Sequence, residues 1–479
     1  MSIPKPSGQP GAYFEDLGVS REVLRQVMDA ALSRGGEDCD LYFQHTASTS
    51  VRLTDGKVSR AGTYVDLGMG VRVVVGDQVG YSYSEDLRAA SLIAAARSAA
   101  EIAAANSGRA SAMPVGQAVP NYYPVEVHWD QVDMAQRVKL VREWEQAAFA
   151  QDARVHRLDT LIADAATVVM IVRPDGRLIE DWRPMTTAFV QSTVEENGKR
   201  ESNHYNLAAR AGLEFYTPDR QARMVRESVD RALFQLQADR PPAGELPVVL
   251  AAGPSAVLLH EAIGHGMEAD FNRKKISIFS ERIGEKIADE KITIVDDGTL
   301  PNSRGSLNVD DEGNPTERTV LVEDGVLKTY LHDEISARHF NVSPTGSGRR
   351  QSFRHMPMPR MRATIMESGD RDPQEIIASV KKGIYCVTFG NGQVNIGGGD
   401  FAFYMKSGYL IEDGKLTRPI KDANIIGNGP EALSRIDMVG DDMKLDEGGW
   451  TCGKNGQGVP VSQGMPTVRV SRLTVGGVG

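Results

Sequence analysis

Apolar positions recur at helical spacing over residues 22–32, and Gly35-Gly36 ends that pattern. Short runs at strand-like alternation follow at 40–44, 50–53, 58–61 and 68–75. Asp55-Gly56 between two of them predicts a hairpin turn. Residues 86–105 predict an Ala-rich helix that lays a narrow apolar face on a sheet. Residues 107–124 lose periodicity, carry Pro114, Pro120 and Pro124, and read as a linker. Next, Asp130 is placed to cap a helix running to about Gln151, with Val132, Val138, Val141, Trp144 and Phe149 as its stripe. Residues 167–173, Pro174-Asp175-Gly176 and 177–182 then read as strand, turn, strand, and 186–194 alternate as a further strand. A charged helix over 219–237 stops before Arg240-Pro241-Pro242, the sharpest boundary in the chain.

Beyond Gly244 the pattern changes. Residues 247–252 predict a short buried strand and 256–269 a helix. Asp-Gly pairs at Asp297-Gly298, Asp324-Gly325 and Asp413-Gly414, each between strand-like residues, predict antiparallel sheet. The expected fold class is α+β: a mixed helix and antiparallel-sheet N-terminal region and a β-rich C-terminal catalytic domain. The expected organisation is an α+β domain over 1–115, a central α+β segment over 116–240, and a C-terminal domain over 241–479. A length of 479 residues is more than one ordinary core accommodates.

Composition narrows the functions. The 41% hydrophobic and 25% charged content is that of a globular chain. A net charge of −10 speaks against a nucleic-acid partner. Apolar stretches fall well short of a membrane span, and the first eleven residues carry no apolar run of a signal peptide. Three Cys do not make a disulfide framework, so a reducing cytoplasm is the expected location.

One segment concentrates chemistry. Residues 260–265 read His-Glu-Ala-Ile-Gly-His, two imidazoles and one carboxylate within six residues. The pattern is that of the H-E-x-x-H zinc motif with one residue added. Imidazoles five apart diverge by roughly 140° on a regular helix of ~3.6 residues per turn. His260 and His265 can share an ion only if the helix widens locally, as at a π-bulge, and Gly264 would ease that distortion. Glu261 is then the candidate general base.

A catalytic zinc needs a third protein ligand. Glu268, Asp270, His332, His339, His355, Cys386 and Cys452 are candidates. Cys39 and Cys386 sit beside or within apolar strands and read as buried structural thiols. Cys452 lies in the Gly-rich stretch 448–456, where backbone and thiol can approach an ion, and chemistry places it slightly ahead of Glu268. Residues 346–360 hold Arg349, Arg350, Arg354, Arg360 and His355. A charge run is usually a solvated loop. The stiffening Pro357 and Pro359 and the apolar Phe353, Met356 and Met358 argue instead for a groove that grips peptide carbonyls or a carboxylate through Arg349, Arg350, Arg354 and His355. The Gly-rich residues 390–400 are no phosphate loop; they read either as a lining of close approach or as a set of turns.

Three stretches carry a family resemblance: 260–271, 349–360 and 450–457, the last reading Trp-Thr-Cys-Gly-Lys-Asn-Gly-Gln. They resemble the TldD branch of the TldD/PmbA metallopeptidases, and the resemblance extends over nearly the whole chain. It implies metal binding by His260, His265 and Cys452, catalysis by Glu261, one zinc ion, and peptides or unfolded chains as substrates. It also implies a dimer, with itself or with a subunit of the PmbA (TldE) branch, which lacks the metal motif. Two other readings compete: a noncatalytic regulatory protein and a metal-dependent amidohydrolase of a small molecule. The intact Glu261 argues against the first, because a structural metal site needs no base.

Overall fold

The computed structural model describes residues 3–102 and 110–477. The last three residues of the predicted Ala-rich helix, and the first three of the predicted linker, lie outside them. Its first half is one twisted sheet. The strands are β1 (Asp38–Thr54), β2 (Lys57–Val75), β3 (Gln78–Ser84), β4 (Val115–Gln117), β5 (Val155–Val172), β6 (Arg177–Glu196) and β7 (Lys199–Ala209). Their order is β3-β2-β1-β5-β6-β4, with β7 paired to β6 beyond the short β4. Residues on both sides of position 115 thus share a single sheet. The short runs expected at 40–44 and 50–53 are one strand, as are those at 58–61 and 68–75. β1 and β2 stay in register over almost their whole length around the Asp55-Gly56 turn.

Alternation explains the layering. On β1, Leu41, Phe43, Ala47, Val51 and Leu53 point to one face and are buried there. The helices Arg21–Ala31 and Ala89–Ile102 cover one end of that face, and Met134–Gln151 and Pro218–Gln237 the other. Ser20 and Thr217 cap the first and last of these helices through their hydroxyls. The predicted cap Asp130 lies instead in a short 3-10 turn. The helix starts one turn later, because Asp133 and Gln136 form a reciprocal capping box there. On the opposite face Tyr42, Val169 and Ile171 pack against Phe353 of the C-terminal half. Gly68 is required at this seam, since a Cβ there would stand 2.3 Å from the Phe353 ring.

In the second half, Gly244–Leu250, Val468–Gly477, Ala423–Asn428, Asp400–Glu412 and Lys382–Val394 pair in sequence, and the last returns to the first. The ring closes, which removes its sheet edges. A second, six-stranded sheet includes Ile294–Asp297, Arg318–Glu323, Ala363–Met366 and Ser462–Met465. The chain is thus α+β with a β-rich C-terminal half. Asp324-Gly325 and Asp413-Gly414 make the predicted hairpin turns. Asp297-Gly298 does not, because the strand that pairs with Ile294–Asp297 begins only at Arg318; Gly298 instead abuts Thr316 where no Cβ would fit. Among the described residues no helix is long and apolar enough to cross a membrane.

Candidate metal centre

The segment after Gly244–Leu250 is not a regular helix. A 3-10 turn (Pro254–Ala256) and one α-turn (Val257–Leu259) lead into a π-helical turn over His260–Gly264, then a 3-10 turn over His265–Met267. The widened turn brings the two imidazoles to a centroid separation of 5.2 Å with rings at 82°. Leu258, Leu259, Ala262 and Ile263 anchor the segment in the core shared with Ile384, Phe403 and Ile425. Gly264 has ordinary helical angles, so backbone freedom is not why it is glycine. A Cβ there would lie 2.0 Å from Met361 Sδ, and this close approach is the reason.

Cys452 comes from the other end of the domain. It lies on a hairpin of Thr451–Lys454 with Gln457–Pro460, turned at Asn455-Gly456, both at positive φ. The hairpin delivers its thiol to 3.4 Å from His265 Nε2. One donor atom from each of His260, His265 and Cys452 falls within 4.8 Å of the others, and all three residues are buried. Glu261 Oε2 stands 3.9 Å from His265 Nε2, and its side chain is more exposed than that of His265. A buried acceptor or donor without a partner is uncommon, and His260 Nδ1 has none among the described residues. Burial opposes ionisation of the Cys452 thiol, yet the charges and hydrogen bonds of His260 and His265 outweigh it and hold the thiol well below its ordinary range. Two imidazoles, a thiolate-prone sulfur and an orphaned ring nitrogen fit a borderline-soft divalent ion such as zinc.

Glu268, weighed as the third ligand, faces the other side of His265. Its Oε2 accepts from His265 Nδ1 at 3.0 Å, which leaves Nε2 directed at Cys452. Burial would raise the Glu268 carboxyl, but Lys454, His265 and Arg360 bring it down to about 2. Lys454 Nζ lies 3.1 Å from Glu268 Oε2, and Arg360 donates to the Cys452 carbonyl at 2.6 Å. Neither Lys454 nor Arg360 stood out in the sequence as a supporting residue. Asp270 is taken by Lys454 at 2.7 Å. His332 is buried among Tyr330 and Phe340, and Cys386 lies in the barrel core with its thiol pushed up by burial. Cys39 is likewise buried, its thiol raised first by desolvation and then by Asp40 and Asp38.

The arginine segment is placed differently from the expected substrate groove. Arg349 is buried near the centre but donates to the carbonyls of Met361 and Pro460, the latter on the Cys452 hairpin. Arg350 is fully buried against Asp40 of β1 at 2.6 Å and stacks over Tyr42. Arg354 forks onto Asp66 of β2 and also meets Glu85. His355 Nδ1 pairs with Ser352 Oγ at 2.9 Å. The guanidinium groups are held by this chain's own acceptors, and two of the three join the halves of the molecule. Within 390–400, Gly392 is a position of close approach: a Cβ there would meet the Phe403 ring at 2.3 Å and Glu261 Cγ at 3.5 Å.

Comparison with known proteins gives three family-model matches. The PmbA/TldA metallopeptidase C-terminal domain matches residues 243–477, domain 1 matches 39–103, and the central domain matches 127–236. A metalloprotease TldD homolog of Haemophilus influenzae is 41% identical over 96% of this chain and 97% of its own length. A zinc metalloprotease TldD homolog of Saccharolobus solfataricus is 36% identical over 52% of this chain and 55% of its own. The crystal structure of TldE from Thermococcus kodakarensis superposes with a TM-score of 0.76 at 17% identity, covering 95% of this chain and 99% of that one. At that identity the likeness is one of fold.

Proposed function

This chain belongs to the PmbA/TldD metallopeptidase family, and we propose that it is a zinc-dependent peptidase that hydrolyses peptides or unfolded polypeptides with Glu261 as general base. One observation carries the reading: three buried metal-ligating side chains converge within 4.8 Å beside a partly exposed carboxylate. His260, His265 and Cys452 would hold the ion. A zinc bound there supplies Lewis acidity towards a carbonyl oxygen and towards water. Glu261 accepts the proton of the attacking water and returns it to the departing amine. Its flank on Gly392 leaves room beside the carboxylate that any larger residue would fill. Glu268 fixes the ring of His265 and its tautomer.

The zinc-metalloprotease name of the Saccharolobus relative supports the choice of ion, and membership of the family motivates a TldD/TldE-type partner or a self-dimer. The proposed location is the cytoplasm. We propose the division of labour along the chain as 1–115, 116–240 and 241–479, with the chemistry in the last part. The test is metal analysis of the purified protein together with hydrolysis of a denatured protein substrate, with and without chelator. Metal near one equivalent and chelator-sensitive cleavage that zinc restores are expected. Cleavage indifferent to a chelator that strips the metal sinks the reading.

A further inference from the structure

The proposed ligands sit on two arms, a distorted helix and a hairpin 187 positions further along the chain. Nothing in the covalent structure holds those arms together. We propose that Lys454 is a positioning residue which, with Glu268 and Arg360, locks the Cys452 hairpin onto His265 and assembles the donor set before a metal arrives. This rests on the reading of His260, His265 and Cys452 as a metal centre.

Lys454 lies two residues after Cys452 on the same strand, so both side chains point to the same face, the buried one. Its side chain is 3% exposed. It donates to Asp270 Oδ1 at 2.7 Å and to the Pro359 carbonyl at 3.1 Å, pairs ionically with Glu268 Oε2 at 3.1 Å, and lies over the Phe271 ring. Glu268 and Asp270 belong to the segment that carries His265. The ammonium is thus a tie between the two arms, not a local contact.

Arg360 makes a second tie. It donates to the Cys452 carbonyl at 2.6 Å while its Nε stands 3.8 Å from Glu268 Oε1. Glu268 is the node: one oxygen serves His265 Nδ1 and Lys454, the other faces Arg360. Burying an ammonium only to fill space is costly, since an apolar residue of similar volume packs there at less expense. The geometry assigns that expense to alignment: imidazole Nε2 and thiol are set 3.4 Å apart by charges that do not themselves point at the ion.

The test compares native protein with K454M, K454R and E268Q. Zinc affinity is measured by chelator competition. The thiolate-to-metal charge-transfer band is recorded with Co²⁺ in place of zinc. K454M is expected to lose ~10–100-fold in affinity, the range for partners behind a ligand. Its thiolate band should weaken or shift, and K454R should recover part of both. Metal-free K454M that is folded by circular dichroism, with native affinity and a native band, overturns the proposal. Should K454M not fold, the near-isosteric E268Q decides: a comparable loss of affinity supports the tie, and native affinity overturns it. If the native protein takes up neither ion, the metal-centre reading itself falls, and this inference falls with it.

Discussion

Residues 260–265 and 349–354 are both dense in charge and lie in the same half of the chain, yet they end in opposite conditions. In the first, the groups His260, Glu261 and His265 converge with Cys452 and keep unspent capacity: an orphaned ring nitrogen, a thiol held towards ionisation, a carboxylate open to solvent. In the second, every arginine grips acceptors of this chain, although Arg350 leaves Nε and Nη1 without a hydrogen bond among the described residues. Arg350 takes Asp40, Arg354 takes Asp66 and Glu85, and Arg349 takes two carbonyls. The first segment gathers metal-ligating atoms at one point, whereas the second spreads its guanidinium groups over carboxylates and carbonyls of other elements. Charge density alone does not separate the two; the partner list does.

The contrast breaks most visibly at Arg350. Substitution by Met removes a fully buried cation from Asp40, although Arg72 still holds that carboxylate at 2.5 Å. The expected cost is ~3 kcal/mol of stability, the low end for breaking a buried pair. Denaturant unfolding checks it, and zinc affinity should stay native. An R350M protein of unchanged stability but impaired peptide binding would return this residue to a substrate groove.

Opposite behaviour is expected in the first segment. E261Q should keep its metal and its unfolding midpoint while kcat/KM falls by at least ~10²-fold, or ~2.7 kcal/mol of transition-state stabilisation. Turnover near native in a metal-loaded E261Q removes Glu261 from the reaction. C452S should lower metal affinity by no less than the ~10–100-fold that partners behind a ligand cost. C39S and C386S should leave affinity unchanged, since both thiols are buried away from the cluster. Loss of metal in C386S with retention in C452S would reverse the assignment.

Physical terms explain how much of this the sequence carried. The π-helical turn was legible because five-residue spacing cannot aim two rings at one ion on a regular helix. Cys452 was legible as an approach point, and the Asn455-Gly456 turn in its stretch marks the hairpin that bears it. Glu268 was visible three positions after His265, but spacing does not say which side of the ring it meets. Lys454 and Arg360 carried no signal as positioning residues, because their partners lie 184 and 92 positions away. The same holds for Arg350, whose acceptor Asp40 is 310 positions distant. In the fold, helices with one apolar stripe were read to within a few residues. The long strands β1 and β2 were broken into short runs; on β1, His45 and Thr49 stand on the same face as Leu41, Phe43 and Val51 and interrupt its apolar alternation. The closed barrel rests on pairing between Gly244–Leu250 and Lys382–Val394, more than a hundred residues apart, which local pattern does not encode.

Arg354 gives the smallest expected effect and the finest discrimination. Its fork onto Asp66 has ideal geometry, with both bonds at 2.8 Å, and the guanidinium covers the Phe353 ring at 4.2 Å. The side chain is nevertheless 29% exposed and Glu85 is 62% exposed, so water and salt screen much of the attraction. R354A should therefore cost ~1 kcal/mol or less, and the loss should shrink as ionic strength rises. Zinc affinity and kcat should remain native, since Asp66 and Glu85 lie on the N-terminal sheet or just beyond its β3 edge. A raised KM with native stability would show that Arg354 releases its carboxylates to hold substrate. A salt-sensitive stability loss with native kinetics keeps it as a latch between the two halves.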